Sequence, residues 1–129
     1  MYKFGQMTFT NEKTLLLPNV TKAEMDNSIL LAYYNPSNEV ESAWYQMPGM
    51  GAQGLYSIRT LWFQIANGYN FSMRVNSPSG GTYSNSVSFR AVRIFIIPAS
   101  QVINASAKTD QLPFDTANYQ EVAEWLNFK

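Results

Sequence analysis

Leu55-Tyr56-Ser57-Ile58-Arg59-Thr60-Leu61-Trp62-Phe63-Gln64-Ile65, followed after Ala66 by Asn67-Gly68 and then by Tyr69-Asn70-Phe71-Ser72-Met73-Arg74-Val75, decides the fold class. Two β-rich runs around Asn-Gly are the strongest short hairpin signal, because both turn residues tolerate φ > 0. The spacing predicts a type I′ turn at Asn67-Gly68. Tyr69, Phe71, Met73 and Val75 then face the core, and Asn70, Ser72 and Arg74 face out. The first run reads as one long strand or as two joined at a kink.

Working outward, the same period continues. Asn76-Ser77-Pro78-Ser79-Gly80-Gly81 is a loop tip. Residues 86–97 form a last long strand that ends in the apolar run Ile94-Phe95-Ile96-Ile97 before Pro98. Ser28-Ile29-Leu30-Leu31-Ala32-Tyr33-Tyr34 is apolar on both parities, so it reads as a central strand covered on both faces and broken at Asn35-Pro36. Thr14-Leu15-Leu16-Leu17 is a short strand stopped by Pro18, and Ala43-Trp44-Tyr45-Gln46-Met47 is another closed by Pro48-Gly49. Near the start, Tyr2 and Phe4 share one parity and Met7 and Phe9 the other, which predicts a bulge at Gly5.

Helical signals are few. Thr21-Lys22-Ala23-Glu24 fits a capping box and predicts one helical turn ending at Asp26-Asn27. At the other end, Asp115 caps a predicted helix over residues 116–127. Its face Tyr119, Val122 and Leu126, with Ala123 and Trp125, is expected to dock on the apolar strand 94–97. Short strands with turn signals and no alternating long helices predict a single all-β domain over residues 1–129. It is an antiparallel β-sandwich, Ig-like or jelly-roll-like, with one short C-terminal α-helix. An open barrel carrying that helix is the alternative.

Composition narrows function. Nine Lys and Arg balance nine Asp and Glu, only 14% of the residues are charged, and the chain has neither His nor Cys. Serine and cysteine triads, thiol chemistry, and zinc sites built on His or Cys are therefore excluded. The basic residues are scattered, so no electrostatic footprint for nucleic acid is expected. No apolar run approaches a membrane span, and Met1-Tyr2-Lys3-Phe4-Gly5-Gln6-Met7 alternates without an export-signal core. Asn, Ser, Thr and Gln dominate the polar residues, a weakly self-repelling surface suited to contact with other chains.

Three groups are candidates for a site. Glu39 and Glu41 lie two apart and share a face, but acids in such a position read as a solvated loop. Gly49, Gly51 and Gly54 match the spacing of a dinucleotide fingerprint. The strand that follows leaves no helix N-terminus to hold a pyrophosphate, so no cofactor is expected. Aromatic residues are the remaining group: Tyr34, Trp44, Tyr45 and Trp62 include neighbours that point to opposite faces of a strand. Rings left facing water beside Asn and Gln would suit a protein interface or sugar stacking.

Several segments carry a family resemblance. Asp26-Asn27-Ser28-Ile29-Leu30-Leu31-Ala32-Tyr33, Trp44-Tyr45-Gln46-Met47-Pro48, Phe89-Arg90 with Val92-Arg93-Ile94-Phe95-Ile96-Ile97-Pro98, and Tyr119-x-x-Val122 with Trp125-Leu126 stand in one order over residues 15–127. The pattern resembles an uncharacterised C-terminal β-sandwich domain of Bacteroidetes surface lipoproteins and collagen-repeat proteins. The resemblance implies a sandwich displayed on an outer surface without enzymatic activity. A copy standing alone also resembles a virion decoration protein. The expectation is a non-catalytic structural or interaction module at a virion or extracellular surface. Its expected partners are protein neighbours, with self-association among them. A carbohydrate-binding module using exposed aromatics is the alternative.

Overall fold

The computed structural model describes residues 1–101 and 114–126. Nine strands run in chain order: β1 Tyr2–Phe4, β2 Met7–Phe9, β3 Glu12–Pro18, β4 Ser28–Pro36, β5 Tyr45–Met47, β6 Gly49–Met50, β7 Ser57–Ile65, β8 Gly68–Asn76 and β9 Val87–Pro98. The helices α1 Lys22–Asp26 and α2 Tyr119–Trp125 accompany them. All strand pairs are antiparallel. One sheet has the order β1-β9-β4-β5, with β2 also on β9; the other has the order β3-β8-β7-β6. The all-β sandwich with a short C-terminal helix is the observed architecture.

The main core lies between the sheets. Leu15, Leu17, Phe71 and Met73 from the second sheet meet Ala32, Tyr34, Phe89 and Ile94 from the first. A smaller apolar cluster covers the other face of the first sheet. There Leu31, Tyr33, Phe95 and Ile97 lie under Phe114, Val122 and Ala123, with Tyr119, Trp125 and Leu126 at the margin. Strands β4 and β9 are therefore buried on both faces, which is why they read as continuous apolar runs. The molecule has three layers: helix, sheet, sheet.

Local chemistry explains the helix ends. Thr21 Oγ1 accepts from the Glu24 backbone N–H at 3.1 Å, as the capping box predicts. In α2 the cap is Asn118, whose Oδ1 accepts from the Glu121 N–H at 3.0 Å. Asp115, the expected cap, instead closes a preceding turn by accepting from the Ala117 N–H. The helix is thus about a turn shorter at its start than the 116–127 expected, and residue 127 lies outside the described residues.

Other expectations need correction. The hairpin loop is Ala66-Asn67, because Ile65 pairs with Gly68. Asn67 does not adopt positive φ, so the turn is not type I′. Gly68, at φ +146°, is required for another reason: a Cβ there would lie 2.2 Å from the Leu17 carbonyl oxygen of the adjoining strand. Asn35 and Pro36 continue β4 rather than break it. No residue is inserted at Gly5, because Tyr2 opposite Ile94 and Met7 opposite Phe89 belong to one unbroken register. The irregularity lies in β9. Asn35 faces Ala91 and Pro36 faces Phe89, which leaves Arg90 as the extra residue of a bulge. Past it, the core-facing residues change from Val87 and Phe89 to Val92 and Ile94. The partner strand shows the same switch, which is what the Tyr2/Phe4 and Met7/Phe9 pattern records.

Candidate interaction surface

The bulge fixes one end of the sandwich. Arg90 sends its two terminal nitrogens to Asn35 Oδ1 and to the carbonyls of Pro36, Ser37 and Glu39, at 2.7–3.3 Å. Asn35, itself buried, donates to the Glu41 carbonyl at 2.6 Å. These bonds hold the loop after β4 in one shape and occupy the guanidinium, so Arg90 serves the fold and not an anionic ligand. Glu39 and Glu41 do not form a working pair. The Tyr45 hydroxyl donates to Glu39 Oε1 at 2.8 Å, whereas Glu41 is exposed. That bond to Glu39, with burial second, raises the Tyr45 pKa. Among the described residues no group of three His, Cys, Asp or Glu is placed to hold a metal ion.

The glycines of the fingerprint spacing shape a loop. Gly51 lies against the Tyr56 ring so closely that a Cβ would sit 2.1 Å from it, and its N–H donates to the Tyr56 carbonyl. No helix N-terminus is presented there beyond a short 3-10 turn, Ala52–Gly54. Beside this loop, Ser37, Leu55, Tyr56, Tyr83 and Ser88 border an open pocket of about 270 Å³.

The four aromatic candidates are not brought together. Tyr34 is 1% exposed. It stacks on Tyr45 with ring centroids 5.5 Å apart and lies against Phe89 at 4.4 Å. Burial, first, and then Tyr56 push its hydroxyl far above the ordinary tyrosine range. Trp44 stacks on Tyr119 of α2 at 4.1 Å, and the Arg93 guanidinium lies 5.7 Å from its ring centre. It belongs to the seam between helix and first sheet. Trp62 is the most exposed of the four, at 46%, whereas Trp44 and Tyr45 are half-buried.

Trp62 stands in the core-facing row Leu15-Phe71-Trp62; the surface that sequence reasoning missed is the opposite, outer face of the same sheet. The outer face of the first sheet is covered by α2, whereas no described element covers the outer face of the second. The register writes that face as rows across β3, β8 and β7. They run Glu12-Arg74-Arg59, then Thr14-Ser72-Leu61, then Leu16-Asn70-Phe63, then Pro18-Gly68-Ile65. Charge is confined to the first row, where Arg74 and Arg59 are opposed; Arg74 donates to Glu12 at 2.8 Å and Arg59 to Asn76 at 3.2 Å. Leu16 at 50% and Phe63 at 44% exposure flank the polar centre of the face. Beyond Arg59 its β7 side is apolar: Leu61, Phe63 and Ile65. The signal was available in the sequence, since Leu61-Trp62-Phe63 is apolar on both parities like β4. Without long-range pairing, nothing in the sequence said which parity would stay uncovered.

Compared with known proteins, the chain matches no family model, no curated protein and no solved structure.

Proposed function

We propose that this chain is a non-catalytic structural module that works by contact, presenting its second sheet to protein neighbours at an outer surface such as a virion or a bacterial cell envelope. The observation that carries the reading is the unequal treatment of the two outer faces. One is sealed by a helix of the same chain, and the other leaves Leu16 and Phe63 exposed, with Leu61 and Ile65 half-buried, around a row of amides and hydroxyls. Exposed apolar residues set among uncharged amides and hydroxyls suit contact with protein, because interfaces are about as apolar as ordinary surface and are depleted of charge at their centre. The absence of His and Cys and the sequence resemblance to a displayed β-sandwich support the same reading. Sugar binding draws less support, because Tyr34, Trp44, Tyr45 and Trp62 share no platform.

A photoreactive phenylalanine analogue placed singly at Phe63, Leu16 or, as a control, Lys22 tests the proposal in the protein's native surroundings. Protein adducts from Phe63 and Leu16 but not from Lys22 are expected. Saturable binding on a glycan array that is lost on substituting Trp44, Tyr45 or Trp62, without protein adducts, would replace this reading by the carbohydrate one.

A further inference from the structure

The four outer strand edges of the sandwich are unequally protected. The edge formed by β1 and β2 is short, carries Lys3 and is interrupted at Gly5-Gln6. At the opposite side of that sheet, β5 has only three residues, and the stretch of β4 it leaves without a strand among the described residues, Ser28 to Leu31, is shorter than the one left on β7. In the second sheet, β3 carries Glu12 and Lys13 at one end and Pro18 at the other. Each of these is a recognised device against pairing with another chain. The fourth edge has none. Strand β6 pairs with β7 only at Ser57 and Ile58, so among the described residues the remainder of β7 has β8 on one side and no hydrogen-bonded strand on the other, although β5 passes close to it. From Thr60 the free edge reads Thr60-Leu61-Trp62-Phe63-Gln64-Ile65, without charge, proline, glycine or bulge.

We infer that this free edge pairs with the same edge of a second copy of the chain, antiparallel about a two-fold axis through Trp62, and joins two four-stranded sheets into one. The inference rests on the reading of the second sheet as an interaction surface and names the partner. In an antiparallel pair, backbone groups of alternate residues point to the same side, so every second residue of β7 offers an unpaired N–H and C=O. Only an extended strand satisfies such a row, which selects a strand as the occupant.

The side chains select a second copy. A two-fold contact places every residue against a symmetry mate of the same strand, so an edge bearing charge would repel itself. Here residues 60–65 are neutral, and the whole chain has no net charge. Centred on Trp62, the pairing sets Trp62 against Trp62, Leu61 against Phe63, and Thr60 against Gln64. Aromatic meets aromatic, apolar meets apolar, and hydroxyl meets amide. The nearest cation, Arg59, falls opposite Ile65 and away from its own mate. Because β6 occupies the edge at Ile58, the ladder is confined to residues 60–64.

The area sets the strength. Trp62 and Phe63 are 46% and 44% exposed. Aromatic side chains bury roughly 150–250 Å² in full, so each brings about 100 Å². With their neighbours they fall short of the roughly 800 Å² per partner of a standard interface. The dimer is therefore weak and concentration-dependent.

Sedimentation equilibrium of the full chain from about 10 µM to about 1 mM, a range bracketing such weak contacts, reads this directly. The weight-average mass is expected to rise toward that of a dimer, and Phe63→Lys to stay monomeric over the whole range. Phe63 is exposed, and an unchanged urea midpoint verifies that the variant folds. Hydrogen exchange on the unmodified chain gives a second reading: amides within residues 60–64 slow at high concentration, while those of β3 do not change. A wild-type chain that remains monomeric at about 1 mM overturns the inference, as does a Phe63→Lys chain that dimerises equally well. A monomeric chain whose Phe63 photoadducts are to a different protein overturns self-pairing and leaves the interaction reading standing.

Discussion

Gly68 stands opposite Pro18 where β8 begins to pair with β3, and it shows how much one residue can carry. Its φ of +146° excludes a β-branched side chain, and its missing Cβ makes room for the Leu17 carbonyl. Gly68→Val is expected to cost about 1–3 kcal/mol in backbone strain and about 1–3 kcal/mol in overlap with β3. A urea midpoint that barely moves would contradict this. The buried tyrosines set a second expectation. Burial raises the Tyr33, Tyr34 and Tyr56 hydroxyls above their usual pKa, with Asp115 adding to the shift at Tyr33. A phenol whose pKa is higher folded than unfolded keeps its proton longer in the native state. Its contribution is intact below the unfolded value of about 10 and is lost as pH rises past it. Thermal stability is therefore expected to fall above about pH 10. Phenolate absorbance from these residues should appear together with unfolding, and phenolate signals that titrate fully in the folded protein would refute the coupling.

At the scale of elements, α2 completes the first sheet. Val122 is fully buried, Trp44 stacks on Tyr119, and the Tyr33 hydroxyl donates to the Thr116 carbonyl, tying β4 to the approach of the helix. A seven-residue helix has no stability of its own in water and depends on this docking. Truncation after Phe114 exposes Leu31, Tyr33, Phe95 and Ile97 together, and the expected outcome is loss of the cooperative thermal transition or aggregation. A soluble truncated protein with an unchanged melting temperature would assign the helix to a neighbouring subunit instead. The docking face was legible because Tyr119, Val122 and Leu126 repeat at helical spacing and the 94–97 strand is apolar on both parities. The double burial of β4 was legible for the same reason. The turn type was not, because the demand on Gly68 comes from β3, fifty residues away in sequence. Nor was the exposure of Trp62, since β7 becomes an edge only where β6 leaves it after Ile58.

For the whole molecule, the bare face and the free edge lie on the side away from α2, so binding and stability are separable. Leu16→Lys, at an exposed position, is expected to change stability by no more than about 0.5 kcal/mol, while photocrosslinking from Phe63 to protein neighbours falls. Unfolding of this variant would show that the face is part of the core.

Strand β9 joins β1, β2 and β4, yet it follows all of them in the chain. As the protein leaves a ribosome, the start of the first sheet has emerged long before the strand that holds it together. The hairpin of β7 and β8 closes locally and can add β3 at once, so the second sheet is the part able to assemble early. Strand β4, apolar on both faces, must wait for residue 98, and during that interval it is the segment most in need of a chaperone.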